Sequence, residues 1–391
     1  MRGVWARVKK NYNEFVDYGC RAGAPTGLCR YLQYLYYCVN YAVSVGDYFD
    51  NNLYAPGEMK DRFFAKNHKV VHRWKNVIRN YKPQAGFWWR LIHRVDYTIS
   101  KLLYPGLDAM DYFRYEFYNI RHNKRRTFIT EGYLRKLNEQ FNHERENIEQ
   151  FRILQEKAQF NTYFSEIVTR RWIRTQDVSW EEFKNFCTSL DQAIAKPEDG
   201  TQGKGIFIAS VKTEQEQRTL FEKLHTKKYL LEEVIVQCPE VAALNPSAVN
   251  SIRVYSVLKD DDVVITAATL RLGSGKDVTD NYSAGGFAAS VDPQTGIVIS
   301  RAVSQYGQGV YVHPVSGSII IGTQIPKWKD VVRTVTHAHK KIPQLRYIGW
   351  DVVVCADGCV TFLEANTFAG VALQQHPLLE GKKQMYISLM E

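Results

Sequence analysis

The sequence predicts an α+β protein: a basic, mostly helical N-terminal region, then a part in which strands dominate. Three observations predict it. Apolar residues before about position 190 recur at helical spacing. After it, short apolar runs alternate with Gly, Asp and Asn turn signals. The positive charge also lies at one end: residues 1–150 hold 25 Lys+Arg and 15 Asp+Glu, whereas residues 151–391 hold 26 of each, so the whole excess of +10 is N-terminal. At 391 residues, two or three domains and a large core are expected. A 45% hydrophobic share and 13% aromatics exclude a disordered chain.

Residues 1–105 read as one helical, aromatic, basic region. Tyr31 to Gly46 is uncharged, but it spans 16 residues and contains Gln33, Asn40 and Ser44. A membrane span needs roughly 20 apolar residues. Its stripe Leu32, Leu35, Val39, Ala42 and Val43 reads as core. Phe87-Trp88-Trp89-Arg90, with Lys82, His93 and Arg94, suits either packing against the next domain or a bilayer interface. The charge asymmetry implies an anionic membrane or a polyanionic glycan as a peripheral partner, or a merely solvated basic face. No nucleic acid partner is expected. The opening Met1-Arg2-Gly3-Val4-Trp5-Ala6-Arg7 leads to Lys9-Lys10, not to an apolar run. Seven cysteines form no dense framework. The expected location is cytoplasmic, membrane-peripheral if the basic region touches lipid.

Residues 106–190 continue as a helical lead-in. Leu134, Leu137, Phe141, Ile148, Phe151, Phe160, Phe164 and Ile167 lie at rough helical spacing. Residues 191–240 then read as strand, Gly-rich turn, strand, from Ala193 through Lys196-Pro197 and Gly200-Thr201-Gln202-Gly203-Lys204-Gly205 to Ile208. Glycines let a loop close over an anion with its N–H groups inward. No Gly-Lys-Ser/Thr opens a helix, so this is not a P-loop. A plain glycine-rich hairpin is the competing reading. Tyr229 to Gln237 is an apolar strand interrupted by Glu232-Glu233, and a buried acid needs a partner.

Residues 241–391 hold two hairpins. In the first, Ser251–Leu258 and Val263–Leu272 flank Asp260-Asp261-Asp262. With the three aspartates as loop, Arg253 opposes Thr269 and Arg271 lies diagonal on the same face. Two arginines sharing a face suit an anion between them, or pair to separate surface acids. In the second, Ile348–Cys355 and Val360–Asn366 flank Asp357-Gly358, a two-residue turn signal. Counting outward puts Asp351 opposite Glu364, with Asn366 on the same face. Three hard oxygen donors suit Mg²⁺ alongside phosphate oxygens. A solvated strand end with unrelated acids is also open at this point.

In this order, the motifs resemble the ATP-grasp superfamily, and most nearly the sugar-transfer-associated ATP-grasp family of polysaccharide gene clusters, over residues 106–391. The resemblance rests on Asp111-Tyr112-Phe113 with Arg125-Arg126-Thr127-Phe128-Ile129, on Ala195-Lys196-Pro197 with its glycine loop, and on Leu231-Glu232-Glu233-Val234-Ile235. It continues through Asn245-Pro246-Ser247 to Arg253-Val254, Leu270-Arg271-Leu272-Gly273 and Asp280-Asn281-Tyr282-Ser283-Ala284-Gly285-Gly286. His313-Pro314, Ile325-Pro326-Lys327-Trp328, Gly349-Trp350-Asp351 and Glu364-Ala365-Asn366 complete it.

That resemblance implies two α+β subdomains clasping ATP, and an ATP- and Mg²⁺-dependent carboxylate–amine ligase working through an acylphosphate. The substrates implied are a sugar acid or other carboxylate and an amine or amino acid, in capsule or O-antigen biosynthesis. A phosphotransferase acting on a sugar hydroxyl is the alternative. It further implies that Asp351, Glu364 and Asn366 hold the metal. Lys157 and Lys196 then contact the nucleotide, and Gly200, Gln202, Gly203, Lys204 and Gly205 cover its phosphates. Glu232, Glu233, Val234 and Ile235 form the adenine hinge, Glu232 meeting the exocyclic amine; Glu240 contacts the ribose, and Asn281 lies in a ligand-side loop. Arg253 and Arg271 stabilise the transferred phosphoryl or the acyl group. One departure is plain: several ATP-grasp ligases have an arginine two residues before the metal-binding aspartate, where this chain has Gly349.

Overall fold

The computed structural model describes residues 74–391 except 105, 200–203, 276–281 and 283–284. The stripe at Tyr31 to Gly46 therefore lies outside the described residues, as do Gly200, Gln202, Gly203 and Asn281. The described residues divide into two units. One runs to Phe113 and takes in Phe117–Asn119; the other comprises Arg114–Glu116 and Ile120–Glu391.

In the first unit, residues 74–81 are helical and helix α1 follows at Phe87–Leu103. Trp74 stacks on Tyr97 at 4.9 Å, and the buried Arg94 guanidinium lies 5.1 Å from the Trp74 ring. The aromatic cluster splits by residue. Trp89 packs on His93 and Tyr118, whereas Phe87 and Trp88 are exposed. Short helices α2 (Ala109–Arg114) and α3 (His122–Arg125) come next.

Helix α4 (Glu131–Asn142) starts where the Thr130 side chain accepts the Tyr133 N–H, an N-cap. α5 (Ile148–Gln155) and α6 (Lys157–Tyr163) follow. Leu134, Leu137, Phe141, Phe151, Phe160, Phe164 and Ile167 are buried as their spacing predicts, but Ile148 is exposed. Strand β1 (Trp172–Arg174) interrupts the stretch read as helical, being too short for a period-2 signal.

A four-stranded antiparallel sheet forms from β1, β2 (Gln192–Pro197), β3 (Phe207–Ser210) and β4 (Tyr229–Glu233), in the order β1-β4-β2-β3. Helices α7 (Trp180–Cys187) and α8 (Glu214–Leu224) pack on it around Phe183, Leu220 and Leu231. Both helices begin with full capping boxes, Ser179–Glu182 and Thr213–Glu216. A short helix α9 (Pro239–Ala242) then leads to a second, seven-stranded antiparallel sheet. Its strands are β5 (Ile252–Lys259), β6 (Asp262–Leu272), β7 (Phe287–Val291), β8 (Ala302–Ser304), β9 (Gly309–Val310), β10 (Tyr347–Val354) and β11 (Val360–Asn366), in the order β11-β10-β5-β6-β7-β8-β9.

One face of this sheet, with Val254, Leu270, Trp350 and Phe362, packs on α10 (Trp328–Lys340) and on α5 and α6. The other face, with Tyr255, Ala288 and Tyr347, packs on α4, α11 (Ala372–Gln375) and α12 (Lys383–Met390). Central strands buried on both sides explain the near-continuous apolar run Val352-Val353-Val354.

Candidate active site

Four adjacent strands carry the polar row. Asp351 on β10 pairs with Glu364 on β11 and with Arg253 on β5; Arg253 pairs with Thr269 on β6, and Arg271 lies two residues further on. These are the predicted registers. The turns beside them are not as predicted. Asp357-Gly358 belongs to a three-residue loop, since Cys355 N–H donates to Cys359 O and Gly358 takes φ +83°. The three aspartates form a two-residue loop, because Asp262 already pairs with Lys259 and Asp260 takes φ +53°. In each hairpin a bulge between turn and site restores the count, at Asp351/Val352 and at Tyr255/Ser256.

Asp351 is gripped by both arginines. Arg253 donates through Nε and Nη2, each at 2.6 Å, and Arg271 through Nη1 at 2.6 Å. The Asp351 side chain is 2% exposed. Burial alone would raise its pKa, but the two guanidinium charges outweigh that and hold it well below the usual carboxylate range. Burial by itself would lower the pKa of Arg253, yet Asp351 drives it far above the usual value.

Glu364 stands at the open edge, 3.7 Å from Arg253 Nη2 and with 48% of its side chain exposed. Crowding by neighbouring atoms and the Asp351 charge push its pKa up. Asn366 Nδ2 lies 3.4 Å from Glu364 Oε1. Gly349 is a close-packing glycine. A Cβ there would lie 2.6 Å from Ala369 Cβ and 3.7 Å from Arg253 Cδ, so no arginine fits, and the Arg253 side chain already runs past this point.

The smaller sheet contributes a second cluster. Lys196 Nζ donates to Glu232 at 2.6 Å, Arg170 Nε donates to the same carboxylate at 2.7 Å, and Asn161 Nδ2 donates at 3.2 Å. Burial and Arg170 lower the Lys196 pKa against the pull of Glu232 and Glu364. Glu232, buried, is held well below the carboxylate range because Lys196 and Arg170 outweigh the cost of burial. The carboxylate expected at the adenine amine turns inward here, as counter-ion to Lys196.

Sequence reasoning missed Arg170. Its guanidinium also donates to Phe362 O at 2.5 Å and to Leu363 O at 3.5 Å, binding β11 beside its bulge. The one signal was Glu232 itself, an acid in an apolar run that demanded a counter-charge.

Lys157 donates to Pro197 O at 3.0 Å and Glu198 O at 3.1 Å, so it anchors the entry to the glycine loop. At the loop's far end Gly205 takes φ +78°, and a Cβ there would lie 2.9 Å from Pro197 Cγ. Lys204 is exposed. At the end of β4, Glu233 pairs with Arg171, and Val234 and Ile235 leave the sheet. The chain then meets the β10–β11 hairpin, where Val236 O accepts from Ala356 N–H and Gln237 bridges Cys355. Glu240 is exposed in the first turn of α9. His313 is structural: its Nε2 lies 2.9 Å from Gly273 O.

A family model described as sugar-transfer associated ATP-grasp matches residues 136–385, well over half the chain. The chain belongs to this family. Its two sheets, one bearing Lys196 and the glycine loop and the other bearing the acidic hairpin, are the ATP-grasp fold. Among solved structures, the ATP-grasp ligase PsnB with a precursor variant, Mg and ADP is 17% identical, covers 66% of this chain and 67% of that one, and has a TM-score of 0.39. A Chryseobacterium gregarium RiPP-associated ATP-grasp ligase with ADP and a leader and core peptide is 14% identical, with 62% and 60% coverage and a TM-score of 0.34. N5-carboxyaminoimidazole synthase from Aspergillus clavatus is 9% identical, with 56% and 46% coverage and a TM-score of 0.35. The chain thus spans less than half of the last and about two thirds of PsnB. No match was found among curated proteins.

Proposed function

We propose that this ATP-grasp protein is an ATP- and Mg²⁺-dependent carboxylate–amine ligase that joins an amine or amino acid to a sugar acid during glycan assembly, as in capsule or O-antigen. One observation carries the reading: Glu364, Asp351, Arg253 and Arg271 form a continuous row on one sheet, and Arg170 ties the strand of Glu364 to the Lys196–Glu232 pair on the other. Anions gather where such cations are fixed in advance.

The donor set fits a hard divalent ion. Among the described residues no three His, Cys, Asp or Glu side chains cluster as metal ligands, so the set needs the Asn366 amide as its third member. Glu364 and Asn366 lie at the open edge, and Asp351 would exchange arginine contacts for the ion. Mg²⁺ bound there supplies charge neutralisation at the β- and γ-phosphates. The chain's own residues do the rest. Lys196 and the loop ending at Gly205 hold the triphosphate, with Lys157 fixing the loop's base, and Val234 and Ile235 offer backbone to the adenine edge. Arg253 and Arg271 neutralise the phosphoryl as it passes to the substrate carboxylate. Arg253 runs past Gly349, the position where the family resemblance implies an arginine, and stands in for that side chain.

The test is a screen for ADP release with uronic acids and amino acids, read by product mass. An amide with free phosphate supports the ligase. A phosphorylated sugar with no amide overturns it in favour of a kinase.

We also infer that α1 rests on anionic lipid. Trp88, Ile92, Ile99, Leu102 and Leu103 form an exposed apolar stripe. Residues 74–103 carry six Lys or Arg against one acid, Asp96, so the surrounding charge complements an anionic surface. Among the described residues no helix is long and apolar enough to cross a membrane.

A further inference from the structure

Beyond β7 the chain builds a small antiparallel layer from residues 296–299 and 311–325. Val298 N–H donates to Thr323 O at 2.9 Å, and Val298 O accepts from Gly322 N–H at 2.8 Å. Ile297 pairs with Gln324, and Val312 with Ile319. The inward residues Val298, Ile320 and Ile325 are fully buried in the core. An antiparallel layer with one wet face alternates apolar-in with polar-out. This layer is apolar on its outer face as well. Ile297 and Ile299 flank Val298, Ile319 and Ile321 flank Ile320, and all four are exposed, as is Val312 opposite Ile319.

Tyr311, beside Val312, and Val315, in the turn before Ile319, are exposed too. These seven side chains are 36–67% exposed. They present roughly 600 Å² of apolar surface, the upper end of what a monomer shows as its largest patch. Charge is missing from the same region. Residues 302–326 contain no Lys, Arg, Asp or Glu, where the chain's 24% charged share predicts about six. Depletion of charge with aliphatic and aromatic surface left outside is the composition of an interface core.

We propose that a second copy of this chain docks on this face, giving a closed two-fold dimer. Size favours that occupant. Homodimer interfaces are about 65% apolar, so roughly 600 Å² of apolar surface belongs to about 900 Å² per copy, the size of a standard stable interface. Charge favours it as well. An uncharged face offers nothing to an anionic headgroup or to an acidic or basic partner, yet it meets its own copy without repulsion. The layer joins the core on the sheet face of Val254 and Trp350, whereas Arg253 and Asp351, one residue along each strand, project from the other face. The contact and the proposed ligase site therefore lie on opposite sides of the sheet.

The test follows the mass of the full chain by sedimentation equilibrium from about 1 to 100 µM. The wild type should pass from one chain mass to two. Ile319→Asp and Ile299→Asp, on separate segments of the layer, should each weaken the dimer at least on the order of a hundredfold, because a two-fold interface carries every substitution twice. Both positions are exposed, so the far-UV circular dichroism and the affinity for ATP should match the wild type. Ile148→Asp, at an exposed isoleucine of α5, should leave the dimer intact. A wild type that stays monomeric over this range, a mass that grows past two chains, or a dimer indifferent to both layer substitutions overturns the proposal. So does a monomer in which the amides of residues 319–321 resist hydrogen exchange until Ile299→Asp exposes them, since another stretch of the same chain then covers the patch.

Discussion

Two buried carboxylates in this protein each hold two cations, yet their surroundings differ. Glu232, with Arg170 and Lys196, is closed in by Asn161, and Arg170 in turn is capped by the backbone carbonyls of β11. Asp351, with Arg253 and Arg271, opens onto Glu364 and Asn366 at the sheet's edge. The same ion chemistry makes a structural hub where it is sealed; where one side is left to solvent it leaves the open edge on which the proposed ligand site rests.

The largest expected break in that comparison is Glu364→Ala. It removes the proposed open-edge ligand and nothing from the core, so Mg²⁺-dependent ATP turnover should fall at least on the order of a hundredfold with Tm unchanged. Undiminished turnover would refute the metal role. Next come Glu232→Ala and Asp351→Ala. Each strands two buried cations and should cost about 3–5 kcal/mol in chemical denaturation. A loss below about 1 kcal/mol for either would show that its cluster is hydrated rather than sealed.

Smaller is the pH response. Both carboxylates have folded pKa values below their unfolded ones. Their contribution is therefore present above the unfolded carboxylate pKa, about 4, and is lost as pH falls from there toward the folded values. Urea midpoints of the wild type should drop through that acid window, and those of Glu232→Ala should drop less. Smallest in stability is Ile99→Asp on α1, within about 0.5 kcal/mol. It should nonetheless weaken binding to phosphatidylserine vesicles on the order of tenfold, with little binding to phosphatidylcholine alone. A wild-type chain that ignores both vesicles, or a face found to dimerise or already protected from exchange, overturns the lipid reading.

The two hairpins show how much of the site was legible. The facing of Asp351, Glu364, Arg253 and Arg271 followed from period-2 alternation and charge logic. Both loop lengths were misread in opposite senses, because turn chemistry is local and allows more than one loop for Asp-Gly or a run of aspartates. A bulge in each hairpin, with Leu363 extra in β11 and Thr266 extra in β6, reconciles turn and site. The inward turn of Glu232 was not legible, because its partner Arg170 lies 62 residues away. The grip of Arg170 on β11 was hidden for the same reason, since side chain-to-carbonyl contacts leave no periodic trace. The hold of Lys157, expected at the nucleotide, on the carbonyls of Pro197 and Glu198 was hidden too, since no side-chain pattern reveals it.

The single guanidinium of Arg170 touches both sheets, one through Glu232 and the other through Phe362 and Leu363. It thereby acts as a pin. Its loss would therefore unfasten two sheets at once, leaving Glu232 short of a counter-charge on one and two carbonyls of β11 bare on the other.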